Sequence, residues 1–294
     1  MRLDDEQEST NFEDRTGQRG GGRFGFPGGG GGGLPISGRM GCGTLAIVII
    51  AALVFGVNPM QILGGDPSGV GTTPQIQSGA TADGSTLNPQ VKSVVLKVLG
   101  STERRWSDLF RSSGNPYRAP KLVFYSENNQ SGCGAAQSAM GPFYCPADEG
   151  IYLDTEFFGE LANRFGAGGD FAAAYVIAHE VGHHVQKLTG VADQVQRAQQ
   201  RASQTQGNRL QVAMELQADC YAGVWARNDT NLLEAGDIEE GLRAAEAIGD
   251  DRLQRASQGV VVPESFTHGS SQQRMAWLKR GLDSGDPAQC DTFK

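Results

Sequence analysis

Histidine is scarce in this sequence, with four among 294 residues. Cysteine numbers five, and no two stand in a C-x-x-C spacing, which argues against a cysteine-rich zinc site. Positive charge is in deficit. A net charge of -8 argues against a general nucleic-acid binder, which would want a basic face. No Lys or Arg stands between Arg39 and Lys92, and no internal repeat is present.

Glycine is abundant, at 42, and unevenly spread. Residues 1–39 combine a mixed charge cluster with the tract Gly28–Gly33 and carry little apolar surface to offset the entropy of ordering. They are expected to form a disordered cytoplasmic tail. A phosphate-binding glycine loop is excluded, since no strand precedes the tract and no Gly-Lys-Ser/Thr follows it. From Met40 to Leu63 the chain is uncharged, with Leu45–Phe55 as an apolar centre. That length suits one transmembrane helix. A cleaved signal peptide fits poorly behind so long a polar stretch. Arg19, Arg23 and Arg39 precede the run, so the positive-inside rule puts residues 1–39 in the cytoplasm and the remainder outside. Residues 64–85, rich in Gly, Ser, Thr and Pro, read as a linker to a domain over 86–294.

Three of the four histidines cluster in His179-Glu180-Val181-Gly182-His183-His184. Residues four apart share a helix face, so His179 and His183 can aim two imidazoles at one point, with Glu180 beside them. This is the H-E-x-x-H arrangement of zinc hydrolases, two ligands and a general base. The run from Asp170, a candidate N-cap, through Phe171, Ala174, Tyr175, Ile177 and Ala178 supplies an apolar helix face, and Gly190 can close its end. His184 is rotated by roughly 100° from His183 and is expected to pack or support.

A catalytic zinc needs a third protein ligand. On a second, largely apolar helix, Glu215 and Asp219 stand four residues apart beside Leu216, Ala218, Tyr221, Ala222, Val224 and Trp225. Burying two carboxylates there is costly without a cation. Glu215 is therefore the expected third ligand of one Zn²⁺ per chain, and Asp219 the residue that orients a ligand histidine.

The H-E-x-x-H helix, Glu215-Leu216-Gln217-Ala218-Asp219-Cys220, Phe266–Arg274, Met140–Asp148 and Gly285–Phe293 resemble the bacterial neutral zinc metallopeptidases, membrane-anchored relatives of the gluzincins. The likeness covers most of the chain after residue 90 and touches Asn11–Arg15. It implies a gluzincin-like fold and a peptide or protein substrate. It also implies that Gly134–Met140 is the edge strand receiving substrate, and that His268, opening a loop before a helix, donates to the oxyanion.

Periodicity supplies the rest of an α+β domain. Val91 to Phe110 repeats at helical spacing, and Lys121–Tyr125 reads as a strand. Phe143–Cys145 and Ile151–Leu153 read as a hairpin, and three helices follow, over 237–248, 250–257 and 270–282. Four extracytoplasmic cysteines allow three pairings. Cys133 with Cys145 and Cys220 with Cys290 is the expected one, which suits an oxidising compartment. A tethered protein with a structural zinc is the rival reading. Glu180 counts against it, since a structural site has no use for a base. A zinc hydrolase of a non-peptide substrate stays open.

Overall fold

The computed structural model describes residues 1–16, 87–137, 141–154, 156–163, 166 and 168–294. Its centre is a four-stranded mixed sheet in the order β1-β2-β6-β5. Strand β2 (Lys121–Tyr125) is buried on both faces after its first residue, which suits an apolar run in a parallel sheet. Strands β1 (Phe12–Asp14) and β6 (Gly150–Asp154) flank it, both parallel, with Leu122 opposite Phe12 on one side and Ile151 on the other. Strand β5 (Phe143–Cys145) turns back on β6 as an antiparallel edge, Phe143 facing Tyr152.

The period of two sorts the strands into two cores. Leu122, Phe124, Ile151 and Leu153 face a helical layer. Val123, Tyr125, Cys145 and Tyr152 face the other way and pack on Ala136. Ala136 belongs to a separate antiparallel hairpin of β3 (Asn128–Ser131) and β4 (Gly134–Gln137), which a Cys133–Cys145 bridge ties to β5.

Among the described residues eight α-helices follow the strands or lie between them. α1 (Pro89–Ser112) starts at Asn88, whose side chain accepts from the Gln90 and Val91 backbone N–H groups. α2 (Phe157–Asn163) is short. α3 (Asp170–Leu188), α4 (Val191–Gln199) and α5 (Gln204–Asn228) come next, then α6 (Asp237–Ala247), α7 (Asp250–Gln258) and α8 (Ser271–Ser284). Capping boxes open α5 (Ser203 with Gln206) and α8 (Ser270 with Gln273). α3, α5 and α8 pack together, with Phe171 stacked on Trp225 at 6.4 Å and Trp106 of α1 edge-on to Tyr221 at 5.3 Å. Both tryptophans are fully buried, and truncating either would cost about 3–5 kcal/mol. A second bridge, Cys220–Cys290, closes a separation of 70 residues and pins the chain after α8 to α5.

Three points differ from the reading of the sequence, and one expectation falls outside the described residues. Residues 1–16 do not behave as a disordered tail. They run along α1 and enter the sheet as β1. Met1, Leu3 and Phe12 pack on the core, and the charges find distant partners: Glu6 with Arg104, Asp14 with Lys92 (3.0 Å), Glu13 with Lys121 (2.7 Å). Hydrogen bonds from Arg15 and Lys121 hold the Glu13 carboxyl down at about 2. Local composition cannot reveal partners some 80 to 110 positions away.

Asp170 is the first residue of α3 rather than its cap, Gly169 taking that place at φ 132°. Instead, Asp170 lies 2.9 Å from the Met1 ammonium, which Glu234 and Asp237 also surround. Gly134–Gln137 forms β4 of the separate hairpin rather than a strand of the main sheet, whose edges are β1 and β5. Finally, among the described residues no helix is long and apolar enough to cross a membrane; the run 40–63 and the linker 64–85 lie outside them.

Gly100 makes the docking of residues 1–16 possible. A Cβ there would strike the Gln7 carbonyl and lie 3.1 Å from the Ser9 nitrogen. Gly100→Leu should therefore destabilise the domain by about 1–3 kcal/mol. That lowers the melting temperature by roughly 2–4 °C per kcal/mol in a domain of this size. Limited proteolysis should cut within residues 1–16 of the variant at a rate the parent does not show.

Candidate active site

The site forms where α3 crosses α5. Gly182 sets the distance, since a Cβ there would sit 3.0 Å from the Ala218 Cα. With the helices this close, Glu215 and Asp219, one turn apart on α5, reach His179 and His183, one turn apart on α3.

Each histidine is held from behind. His179 Nδ1 lies 2.8 Å from Asp219 Oδ1, and His183 Nδ1 lies 2.9 Å from Gln186 Oε1. Both partners are acceptors, so Nδ1 carries the proton and each Nε2 offers its lone pair forward. The two Nε2 atoms meet Glu215, at 3.2 Å from Oε2 and 3.6 Å from Oε1. Gln211 Nε2 steadies that carboxylate with a 3.0 Å bond to Oε1. One donor atom from each of His179, His183 and Glu215 lies within 4.8 Å of the others.

The local field favours positive charge at this point. Burial pushes His179 down, but Asp219 and Glu215 outweigh it and leave the ring raised to about 9. His183 is likewise raised, burial being outweighed by Glu215. Burial would raise Glu215, yet His183 and His179 hold it well below the usual carboxylate range. The second acidic cluster among the described residues, Asp170, Asp237 and Glu240, differs in kind, because the Met1 ammonium already sits on its first two members.

Asp219 joins side chains from three helices. Its Oδ1 accepts from Tyr175 Oη at 2.6 Å, His179 Nδ1 and Arg274 Nη2 at 2.8 Å, and its Oδ2 accepts from Arg274 Nε at 2.9 Å. The Arg274 guanidinium, itself 2 % exposed, keeps this carboxyl low against the effect of burial.

Glu180 is buried beside the histidines and accepts from the Tyr144 backbone N–H, so it faces the β5 edge. Burial raises its carboxyl above the usual range, with the histidines opposing. His184 points the other way. It bonds Tyr144 Oη through Nδ1 at 3.0 Å and the Arg118 carbonyl through Nε2 at 2.6 Å, and so fastens β5 to α3.

His268 lies in the loop before α8. Asp250 Oδ2 accepts from the backbone N–H groups of Thr267, His268 and Gly269, at 2.7, 2.6 and 3.0 Å, while Oδ1 lies 3.2 Å from His268 Nδ1. Burial lowers the His268 ring; Asp250 and the charge of Glu215 raise it on balance. Nδ1 is thus the braced nitrogen of this ring.

The structure brings His179, Glu180, His183, Glu215 and Asp219 into one cluster, with His268 within electrostatic reach of Glu215. Reading the sequence missed Gln186, Gln211, Asp250 and Arg274 as supports. Gln186 had a signal, at three residues beyond His183 on the same helix face. Arg274 and Asp250 had none, since their partners lie 55 and 18 residues away.

Comparison with known proteins follows the same line. No solved structure matches the chain. The Escherichia coli K12 uncharacterized protein YpfJ is 48% identical over 295 residues, covering 100% of this chain and 99% of its own length. The Mycobacterium bovis uncharacterized protein Mb2605 is 40% identical over 257 residues, 82% of this chain and 85% of its own. A family described as "Putative neutral zinc metallopeptidase" matches residues 1–293. The chain belongs to that neutral zinc metallopeptidase family.

Proposed function

We propose that this protein is a zinc-dependent peptidase that hydrolyses peptide bonds with Glu180 as general base. The observation that carries the reading is the convergence of two braced imidazoles and one carboxylate beside a buried glutamate that accepts from the Tyr144 backbone. The donor set fits zinc. Two imidazole nitrogens and one carboxylate are the ligands of catalytic rather than structural zinc, and three protein donors leave a fourth position for water or substrate. A divalent cation also answers the field that raises His179. One ion per chain follows from the one histidine-bearing set among the described residues.

Zinc, when bound, supplies Lewis-acid polarisation of a carbonyl and makes a nearby water more acidic. The chain's own residues do the remainder. Glu180, with a carboxyl already pushed up by burial, accepts a proton from water at its carboxylate oxygen and delivers it to the leaving amine. Asp219 fixes the His179 tautomer, and Gln186 that of His183. His268, braced by Asp250, presents Nε2 as a donor toward oxygen that gains charge. An extended peptide would lie along the β5 edge, which His184 and the Cys133–Cys145 bridge hold in place. A structural zinc in a scaffold is disfavoured by the same geometry, since such sites close all four positions.

Glu215→Ala should lose most of the bound zinc, measured by metal analysis of purified protein; full occupancy would remove Glu215 from the ligand set. Asp219→Asn should weaken zinc binding about 10–100-fold in a chelator competition. Glu180→Gln keeps the shape but cannot take a proton. Cleavage of a peptide library should fall about 10²–10⁴-fold while zinc content stays at the parent level. Undiminished cleavage in Glu180→Gln would overturn the mechanism even with the ligands right.

A further inference from the structure

We propose that the segment after α8 is a working part of the metal site: through Gln217 it positions His183, and so sets how tightly zinc is held. The proposal rests on the zinc reading above and concerns a residue outside the ligand set.

Gln186 Oε1 lies 2.9 Å from His183 Nδ1. A side-chain amide can offer either its oxygen or its nitrogen, so another contact must decide which end meets the ring. The nitrogen decides it. Gln186 Nε2 donates to the Met214 carbonyl at 2.7 Å and to Gln217 Oε1 at 3.1 Å. Both of its N–H groups are then used, and the oxygen is left to accept from His183. Gln217 is oriented in the same way. Its Nε2 donates to the Cys290 carbonyl at 2.9 Å, which turns its Oε1 toward Gln186. A backbone carbonyl can only accept, so Cys290 fixes the sense of the relay at its far end. Both glutamines are buried, where an unpaired amide is costly.

The anchoring carbonyl is itself held. Pro287–Cys290 forms a short 3₁₀ turn opened by Asp286, whose side chain accepts from the Ala288 N–H at 2.9 Å. The bridge to Cys220 fastens that turn to α5. Before it, Asn228 Nδ2 donates to the Gly285 carbonyl at 2.8 Å; after it, Thr292 Oγ1 donates to the Ala213 carbonyl at 2.6 Å. The segment therefore runs back along α5, from its last residue to the turn that bears Glu215.

Without Gln217, one N–H of Gln186 would be buried with no acceptor. The amide regains a partner only by turning, and turning loosens the hold on His183. The ring can then carry its proton on Nε2, where it cannot ligate a metal. Groups behind a ligand histidine typically change metal affinity about 10–100-fold. Gln217 stands one step further back than Gln186, which places it at the lower end of that range.

The test uses the full chain, stripped of metal and titrated with zinc against a chromophoric chelator. Cobalt(II) in place of zinc gives an absorption spectrum that reports the ligand geometry. Gln217→Leu breaks the relay. Thr292→Val removes a different tie of the same segment and serves as the control for lost packing. Gln217→Leu should bind zinc about tenfold more weakly and shift the cobalt bands. Thr292→Val should match the parent in both, whatever the fall in melting temperature of either variant. If Gln217→Leu does not fold, Gln217→Met, of nearly the same length, takes its place. Parent-like affinity and spectrum in the folded Gln217 variant, or an equal loss in Thr292→Val, would overturn the proposal and leave the zinc reading intact. A parent that takes up no zinc would overturn both.

Discussion

The Asp219 carboxylate is the contact on which the rest of this structure depends. It accepts from Tyr175 and His179 on α3 and twice from Arg274 on α8, while standing on α5. Three helices meet at one buried anion. Placing that charge in the interior is expensive, and the expense is tolerable because both oxygens accept hydrogen bonds and a guanidinium shares the site. Removing one partner of such a pair costs about 3–5 kcal/mol, because the other is left buried and unpaired. Fold and site are thus held by the same group: the carboxylate that joins the helices also fixes which nitrogen of His179 faces the cluster.

The apolar packing sets what Asp219 can reach. Gly182 lets α3 and α5 approach closely, and Phe171, Trp225 and Tyr221 fill the space along that seam. The sheet contributes in a different way. Its double-sided burial fixes β2 and β6, and β6 carries β5 to the mouth of the site. His184 and Tyr144 then fasten that edge to the helix bearing the H-E-x-x-H motif. The third histidine of the run serves placement, in keeping with its rotation around the helix away from His179 and His183.

Much of this was legible in the residues, and the limits have physical causes. His179, His183, Glu215 and Asp219 could be read because an interval of four puts side chains on one face, and because carboxylates on an apolar helix call for a cation. The strands 121–125 and 143–145 could be read from short apolar runs between turn residues. What escaped were contacts with no local signature. The segment 1–16 resembles a disordered tail because its charges are neutralised by Lys92, Arg104 and Lys121, far along the chain. Gly134–Gln137 pairs in a hairpin of its own rather than in the main sheet, since it and Phe143–Cys145 have similar strand character and only pairing tells them apart. Arg274 was visible as part of a family-like run, but its role depends on a carboxylate 55 residues away.

The chain of amides behind His183 carries a consequence for the order of assembly. Gln186 passes a hydrogen bond to Gln217 at 3.1 Å, and Gln217 donates to the Cys290 carbonyl at 2.9 Å. Cys290 is joined covalently to Cys220, the residue after Asp219. Both ligand supports therefore lead to the same late residue. As the polypeptide emerges from the ribosome, His179, His183 and Glu215 are all available well before Cys290 is made. Contacts of long sequence separation form slowly, because loop closure comes before the contacts that reward it. During synthesis the nascent chain therefore holds His179, His183 and Glu215 before the residue that anchors the amides behind His183 exists, and that part of the support is completed last.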